Sequence, residues 1–246
     1  MIFTHQNVDL DACLSVVTQC LLDNVDVSLD NITFVPASQR EFPTYATLID
    51  LEIAKHDRSK SHLESYKDYL PSEIIQEVNI QDGYGYDPGS LQIVLLGLKK
   101  NGITDIEICQ WFKPIVKGWM IIENLRKQAK PIYDKLPKVT IKGEKQDYKF
   151  VVCEFHKMPE GGNFFAGQEG CVGTIYTDKY NMGITRYPFL KDPDLSKLPH
   201  LRDWYQEKFL YCHGSRKNVA TSYPAQFNNV EHFCEWLKEK FRDYHL

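Results

Sequence analysis

Apolar and polar positions along this chain follow two regimes, and the change between them falls near residue 130. Ile2-Phe3 leads an apolar run that predicts a short buried strand over 1–5. Leu10, Cys13, Leu14, Val17, Cys20 and Leu21 then recur at helical spacing, so a helix over 10–22 follows at once. Ile32-Thr33-Phe34-Val35 reads as a second strand, ended by Pro36, and Thr47-Leu48-Ile49-Asp50-Leu51 as a third. Short apolar strands alternating with helices predict a parallel sheet covered on both faces.

Further on, a helix is expected around Leu63 to Leu70, and another from Pro71 through Val78. Asn79-Ile80-Gln81-Asp82-Gly83 reads as a strand-like run entering the loop Tyr84-Gly85-Tyr86-Asp87-Pro88-Gly89. Ser90 to Lys100 predicts a helix stopped by Asn101-Gly102. Thr104-Asp105-Ile106-Glu107 has the form of a capping box. Ile108, Trp111, Phe112, Ile115, Trp119, Ile122 and Leu125 mark a long amphipathic helical region that Pro114 should kink or split.

After Pro131 and Pro137 short strands take over: Val139–Ile141, Tyr148–Cys153, Cys171–Tyr176, Met182–Arg186 and Phe209–Cys212. Glu160–Gly167 reads as a flexible loop or hairpin carrying Phe164 and Phe165, side chains able to stack bases or to fill a core. Val230 to Tyr244 predicts an amphipathic helix with Asn228 and Glu231 placed to cap it. The fold class is therefore α/β: a parallel-sheet amino domain with flanking helices, a helical connector, and a smaller α+β carboxyl domain. The expected domains are 1–133 and 134–246.

Composition narrows the function classes. A chain of 246 residues with 25% charged residues of both signs is an ordinary globular protein. Its formal net charge of −4 gives no global basic field for duplex DNA. Any anionic substrate must be held by local charge or by a metal. Seven cysteines form no C-x-x-C pair. An odd count with no secretory leader points to a reducing, cytoplasmic setting. No run reaches the roughly 18 apolar residues of a transmembrane helix, so no membrane partner is expected.

The chemistry-bearing residues gather near predicted strand ends. His5, Asp9 and Asp11 follow the first strand, Asp50 the third, and Asp82 the run at 79–81. In a parallel sheet those ends lie along one edge, where open α/β sheets bind ligands. Imidazole and carboxylates converging there suit a divalent ion such as Mn²⁺. Each residue also has a plainer use. Asp9 or Asp11 can cap the following helix, Asp50 and Asp82 can serve turns, and His56-Asp57-Arg58-Ser59-Lys60-Ser61-His62 can be a solvated loop.

Taken together, His5-x-Asn7-x-Asp9-x-Asp11-Ala12, with Ser15 one turn on, resembles the first motif of the DHH phosphoesterase superfamily. Asp50 resembles the lone aspartate of its second motif, and Asp82-Gly83-Tyr84 its fourth. The third departs: this chain reads Lys55-His56-Asp57-Arg58-Ser59 instead of Asp-His-His, with His62 a second source of imidazole. The resemblance covers about 1–130. It implies a dinuclear Mn²⁺ centre (Mg²⁺ being an alternative) whose ions activate a water for attack on phosphorus. It implies metal ligands among His5, Asp9, Asp11, Asp50, His56, Asp57 and Asp82, with Asp9, Asp11, His56 and Asp57 catalytic. A changed third motif would weaken the second ion's site.

In that superfamily the carboxyl domain closes over the substrate with a glycine-rich, basic element. His213-Gly214-Ser215-Arg216-Lys217 resembles it loosely, and Arg186 is a second candidate clamp for phosphate. The expected activity is metal-dependent hydrolysis of a nucleotide, a dinucleotide or a short single-stranded nucleic-acid end. The alternatives are a nucleotide-binding protein without turnover and a pyrophosphatase.

Overall fold

The computed structural model describes residues 1–53, 61–84, 90–154, 157–177, 182–187, 190, 192–195, 219–222, 229–243 and 245; at 80–84, 177, 182 and 219–222 it describes the backbone alone. The protein is mixed α/β, and its chain divides into two compact units, Met1–Asn124 and Leu125–Leu246. The division falls inside a helix, ahead of the break expected at 133/134.

In the first unit three strands, β1 (Ile2–His5), β2 (Ile32–Val35) and β3 (Thr47–Leu48), form a parallel sheet in the order β2-β1-β3. Strand β1 is thus central, with its successors on opposite sides. Such a reversal of strand order opens a crevice at the strands' carboxyl ends. Helix α1 (Leu10–Leu22) crosses from β1 to β2, and its buried face carries Leu10, Cys13, Leu14, Val17 and Cys20, as the spacing predicts.

A 3-10 turn, His62–Tyr66, replaces the longer helix expected at 63–70. Helix α2 (Ser72–Tyr84) continues through the stretch read as a strand. Asp82 therefore sits in a helix's last turn and not at a strand end, and its side chain lies outside the described residues. Helix α3 spans Leu91–Lys100. Helix α4 (Asp105–Tyr133) runs 29 residues through Pro114 without the expected split. Proline removes one backbone hydrogen bond; Phe112 and Val116, fully buried on either side of it, pack that turn into the core.

The second unit holds a five-stranded mixed sheet in the order β4-β5-β6-β7-β8: Lys138–Lys142, Asp147–Glu154, Cys171–Thr177, Met182–Arg186 and Val219–Ser222. Among the described strands of this sheet only β5 and β6 are parallel. Between them lies α5 (Gly162–Gln168), where a loop or hairpin was expected; Phe165 packs on Tyr133, and Phe164 lies under the Arg126 guanidinium at 3.5 Å.

Helix α6 (Val230–Asp243) presses Phe233, Leu237 and Phe241, one turn apart, onto Ile141, Tyr148, Phe150, Ile175 and Ile184. Its start is capped by Asn229, whose Oδ1 accepts from His232 N–H at 2.8 Å, where Asn228 was expected. The strand expected at 209–212 lies outside the described residues. Among the described residues six cysteines are present, all buried free thiols, and no helix is long and apolar enough to cross a membrane.

Candidate metal site at the carboxyl end of the central strand

Strand β1 ends on His5, whose backbone pairs with Val35 of β2. On the other side Ile49 N–H donates to the Phe3 carbonyl at 2.9 Å, which carries Asp50 to the same rim just past β3. There the chain turns sharply: Asp50 holds φ +50, a left-handed conformation that aspartate tolerates better than most residues. The turn buries the carboxylate and aims it at the end of β1. Its Oδ2 lies 3.1 Å from His5 Nε2.

Asp9 completes the group. Its Oδ1 accepts from Ala12 N–H at 2.8 Å, capping α1, while Oδ2 lies 3.5 Å from His5 Nε2. The cap open to this residue in the sequence is formed by Oδ1, and Oδ2 is left facing His5. One ligand atom from each of His5, Asp9 and Asp50 falls within 4.8 Å of the others. An imidazole and two carboxylates suit Mn²⁺ or Mg²⁺ with open positions.

The tautomer of His5 follows from its neighbours. A carbonyl only accepts, so the 2.9 Å contact from Nδ1 to the Gln6 carbonyl oxygen places a proton on Nδ1. Nε2 then faces the carboxylates. Histidine ligands of metals carry this same outer hydrogen bond. Without an ion, a bare Nε2 lone pair between two anions would be repelled, and the ring holds a second proton instead. Its pKa rises to about 10, driven first by the hydrogen bond to Asp50, then by that to Asp9, against the opposing cost of burial. A proton on the ring, or a cation in its place, would offset the charge of the two carboxylates.

Asp11 is used differently from the ligand role implied for it. Its side chain is buried and turned to the start of the 3-10 turn. Oδ1 accepts from Ser61 Oγ at 2.7 Å, Leu63 N–H at 2.9 Å and Ser15 Oγ at 3.3 Å, and Oδ2 from His62 N–H at 2.7 Å. Burial and nearby Asp50 push its pKa up to about 6, outweighing the Ser61, His62 and Leu63 hydrogen bonds. Asp11 caps a turn 50 residues away in sequence and is absent from the metal-type cluster.

Of the remaining implied residues, His56, Asp57, His213, Gly214, Ser215, Arg216 and Lys217 lie outside the described residues, as does the side chain of Asp82. Arg186 is buried at the end of β7, opposite Gly173, and so is not an exposed clamp.

One contributor escaped the sequence reading. Asp105, the first residue of α4, accepts from Asn7 N–H at 2.9 Å and from Val8 N–H at 3.3 Å. The capping box at 104–107 does form, with Thr104 N–H donating to Glu107 Oε2 at 2.9 Å. Asp105 stands out in the sequence only as an acidic residue inside that box, since its partners lie 98 and 97 positions away. No protein-family profile, curated protein or solved structure matches this chain.

Proposed function

We propose that this chain is a metal-dependent phosphohydrolase of the DHH type, acting on a nucleotide, a dinucleotide or a short single-stranded nucleic-acid end. The observation that carries the reading is the meeting of His5, Asp9 and Asp50 at the rim of a parallel sheet whose strand order reverses there. Two of these residues are 45 positions apart in sequence and still meet at 3.1 Å.

The donor set fits a hard divalent cation. His5 would offer Nε2 while its Nδ1 proton stays on the Gln6 carbonyl. Asp9 would offer Oδ2 while Oδ1 keeps its helix cap, and Asp50 would offer Oδ2. A bound divalent ion supplies Lewis-acid polarisation of a phosphoryl oxygen and activation of water. The second ion and its ligands His56, Asp57 and Asp82 belong to the resemblance, as do the phosphate contacts of residues 213–217. Buried free thiols accord with a reducing, cytoplasmic setting.

The test is hydrolysis of bis(p-nitrophenyl) phosphate and of a dinucleotide by the purified protein with Mn²⁺. Turnover should vanish in EDTA and in Asp9→Ala and Asp50→Asn. Equal activity in EDTA, or in either variant, would defeat the reading. A second reading, a nucleotide-binding protein with one ion and no turnover, is favoured by Asp11. Its four hydrogen bonds commit it to Ser15 and the 61–63 turn, leaving three candidate ligands together among the described residues. Calorimetry showing tight nucleotide binding at one ion per chain, without product release, would select it.

A further inference from the structure

We propose that Asp105 is the positioning residue of this site, orienting His5 through the peptide group between Gln6 and Asn7. The inference rests on the metal reading above.

Two hydrogen bonds converge on that one peptide. Its N–H, on Asn7, donates to Asp105 Oδ2 at 2.9 Å, and its C=O, on Gln6, accepts from His5 Nδ1 at 2.9 Å. A peptide group is planar and almost always trans, so its N–H and C=O point in opposite directions. Fixing one end fixes the other. Asp105 therefore sets the direction in which the Gln6 carbonyl meets the imidazole, and with it the direction of Nε2 toward Asp9 and Asp50.

The fixing has to come from outside the loop, because the loop's own conformation is costly. Asn7 holds φ +56, a left-handed backbone that favours Gly and is tolerated by Asn. Rotating this peptide would relieve that conformation and carry the Gln6 carbonyl away from His5. The second Asp105 oxygen, on Val8 N–H, opposes the rotation. Val8 itself is fully buried, which pins the far end of the loop.

Asp105 is firm enough for the task. It opens α4 beside the formed Thr104–Glu107 capping box, and Ile108 and Phe112, one and two turns on, are fully buried in the core. A carboxylate accepting from backbone N–H groups makes charge-assisted hydrogen bonds. A chain of hydrogen bonds from carboxylate through peptide to imidazole also polarises along its length, making His5 a better electron-pair donor.

The test compares ion binding by the native protein, Asp105→Asn, Asp105→Glu and a control, Glu107→Gln, which weakens the same helix start without touching the loop. Mn²⁺ affinity is read by electron paramagnetic resonance, and the ligand field by the visible absorption of Co²⁺ bound to the full chain. Loss of a partner behind a metal-ligating histidine weakens metal binding roughly 10- to 100-fold. Asp105→Asn should show at least a tenfold loss with an altered Co²⁺ spectrum. Asp105→Glu keeps the charge, guards against a folding defect in the first variant, and should also bind more weakly. Glu107→Gln should bind within about twofold of the native protein.

Native-like affinity and spectrum in a folded Asp105 variant would overturn the inference while leaving the metal reading intact. An equal loss in Glu107→Gln would also overturn it, by assigning the effect to helix stability. A native protein that binds neither ion would end the metal reading and this inference together.

Discussion

Replacing Asp11 with alanine separates its two possible roles, ligand or structural clamp. The structure gives this carboxylate hydrogen bonds from Ser61 Oγ, His62 N–H and Leu63 N–H, all at 2.9 Å or less. Leu63 is fully buried, so its N–H cannot turn to water. A buried donor left without its acceptor costs roughly 1–3 kcal/mol; His62 N–H and the Ser61 hydroxyl lose theirs, and Leu63 N–H keeps only Ser61 Oγ, at 3.0 Å. Against this, the variant no longer carries the burial of its own carboxylate beside Asp50 that lifts the Asp11 pKa to about 6. We expect a net loss of about 3 kcal/mol at pH 7. At about 3 °C per kcal/mol for a chain of this size, Tm falls by about 9 °C.

The assay is differential scanning calorimetry in EDTA, so that no metal contributes to either protein. Asp11→Asn should lose a similar amount, because its amide nitrogen would confront N–H donors. A residue serving only as a ligand behaves in the opposite way. Removing its charge from beside Asp50 would leave the metal-free protein unchanged or more stable. Unfolding of Asp11→Ala within about 1 kcal/mol of the native protein would refute the clamp.

In metal-free protein His5 binds its proton more tightly when folded, with a pKa of about 10 against 6.5. Its stabilising contribution is therefore complete below pH 6.5 and disappears as pH rises toward 10, a slope that His5→Gln should flatten in urea titrations across that range. In the second unit, a Cβ on Gly173 would overlap the Thr185 carbonyl across the β6–β7 pair. Gly173→Ala should cost about 3 kcal/mol, read as an earlier urea transition of that unit; a native-like midpoint would contradict the packing.

What the sequence makes legible here is set by distance along the chain. Strand β1, α1 and β2 are readable because each is an apolar run or a helical stripe bounded by its own signals, and His5 and Asp9 are readable with them. Asp82 misleads for a local reason. Ile75 and Val78 are buried within one turn of each other on α2, and the helical backbone carries on past Asn79 into residues that resemble a strand and turn. At 161–162 a Gly-Gly pair gives a turn signal; Gly161 does adopt φ +86, but as the entry to α5. Asp11 and Asp105 are beyond local reading, since each is defined by backbone donors 51 to 98 residues away, and nothing local distinguishes a clamp from a ligand or a cap.

Under the proposed function His5, Asp9 and Asp50 share one cation. An anomalous-difference map from crystals grown with Mn²⁺, recorded on both sides of the manganese edge, tests this directly. The prediction is a peak at bonding distance from His5 Nε2, an Asp9 oxygen and an Asp50 oxygen, absent from Asp50→Asn crystals. No peak at this corner in saturating Mn²⁺, or an undiminished peak in Asp50→Asn, would contradict it.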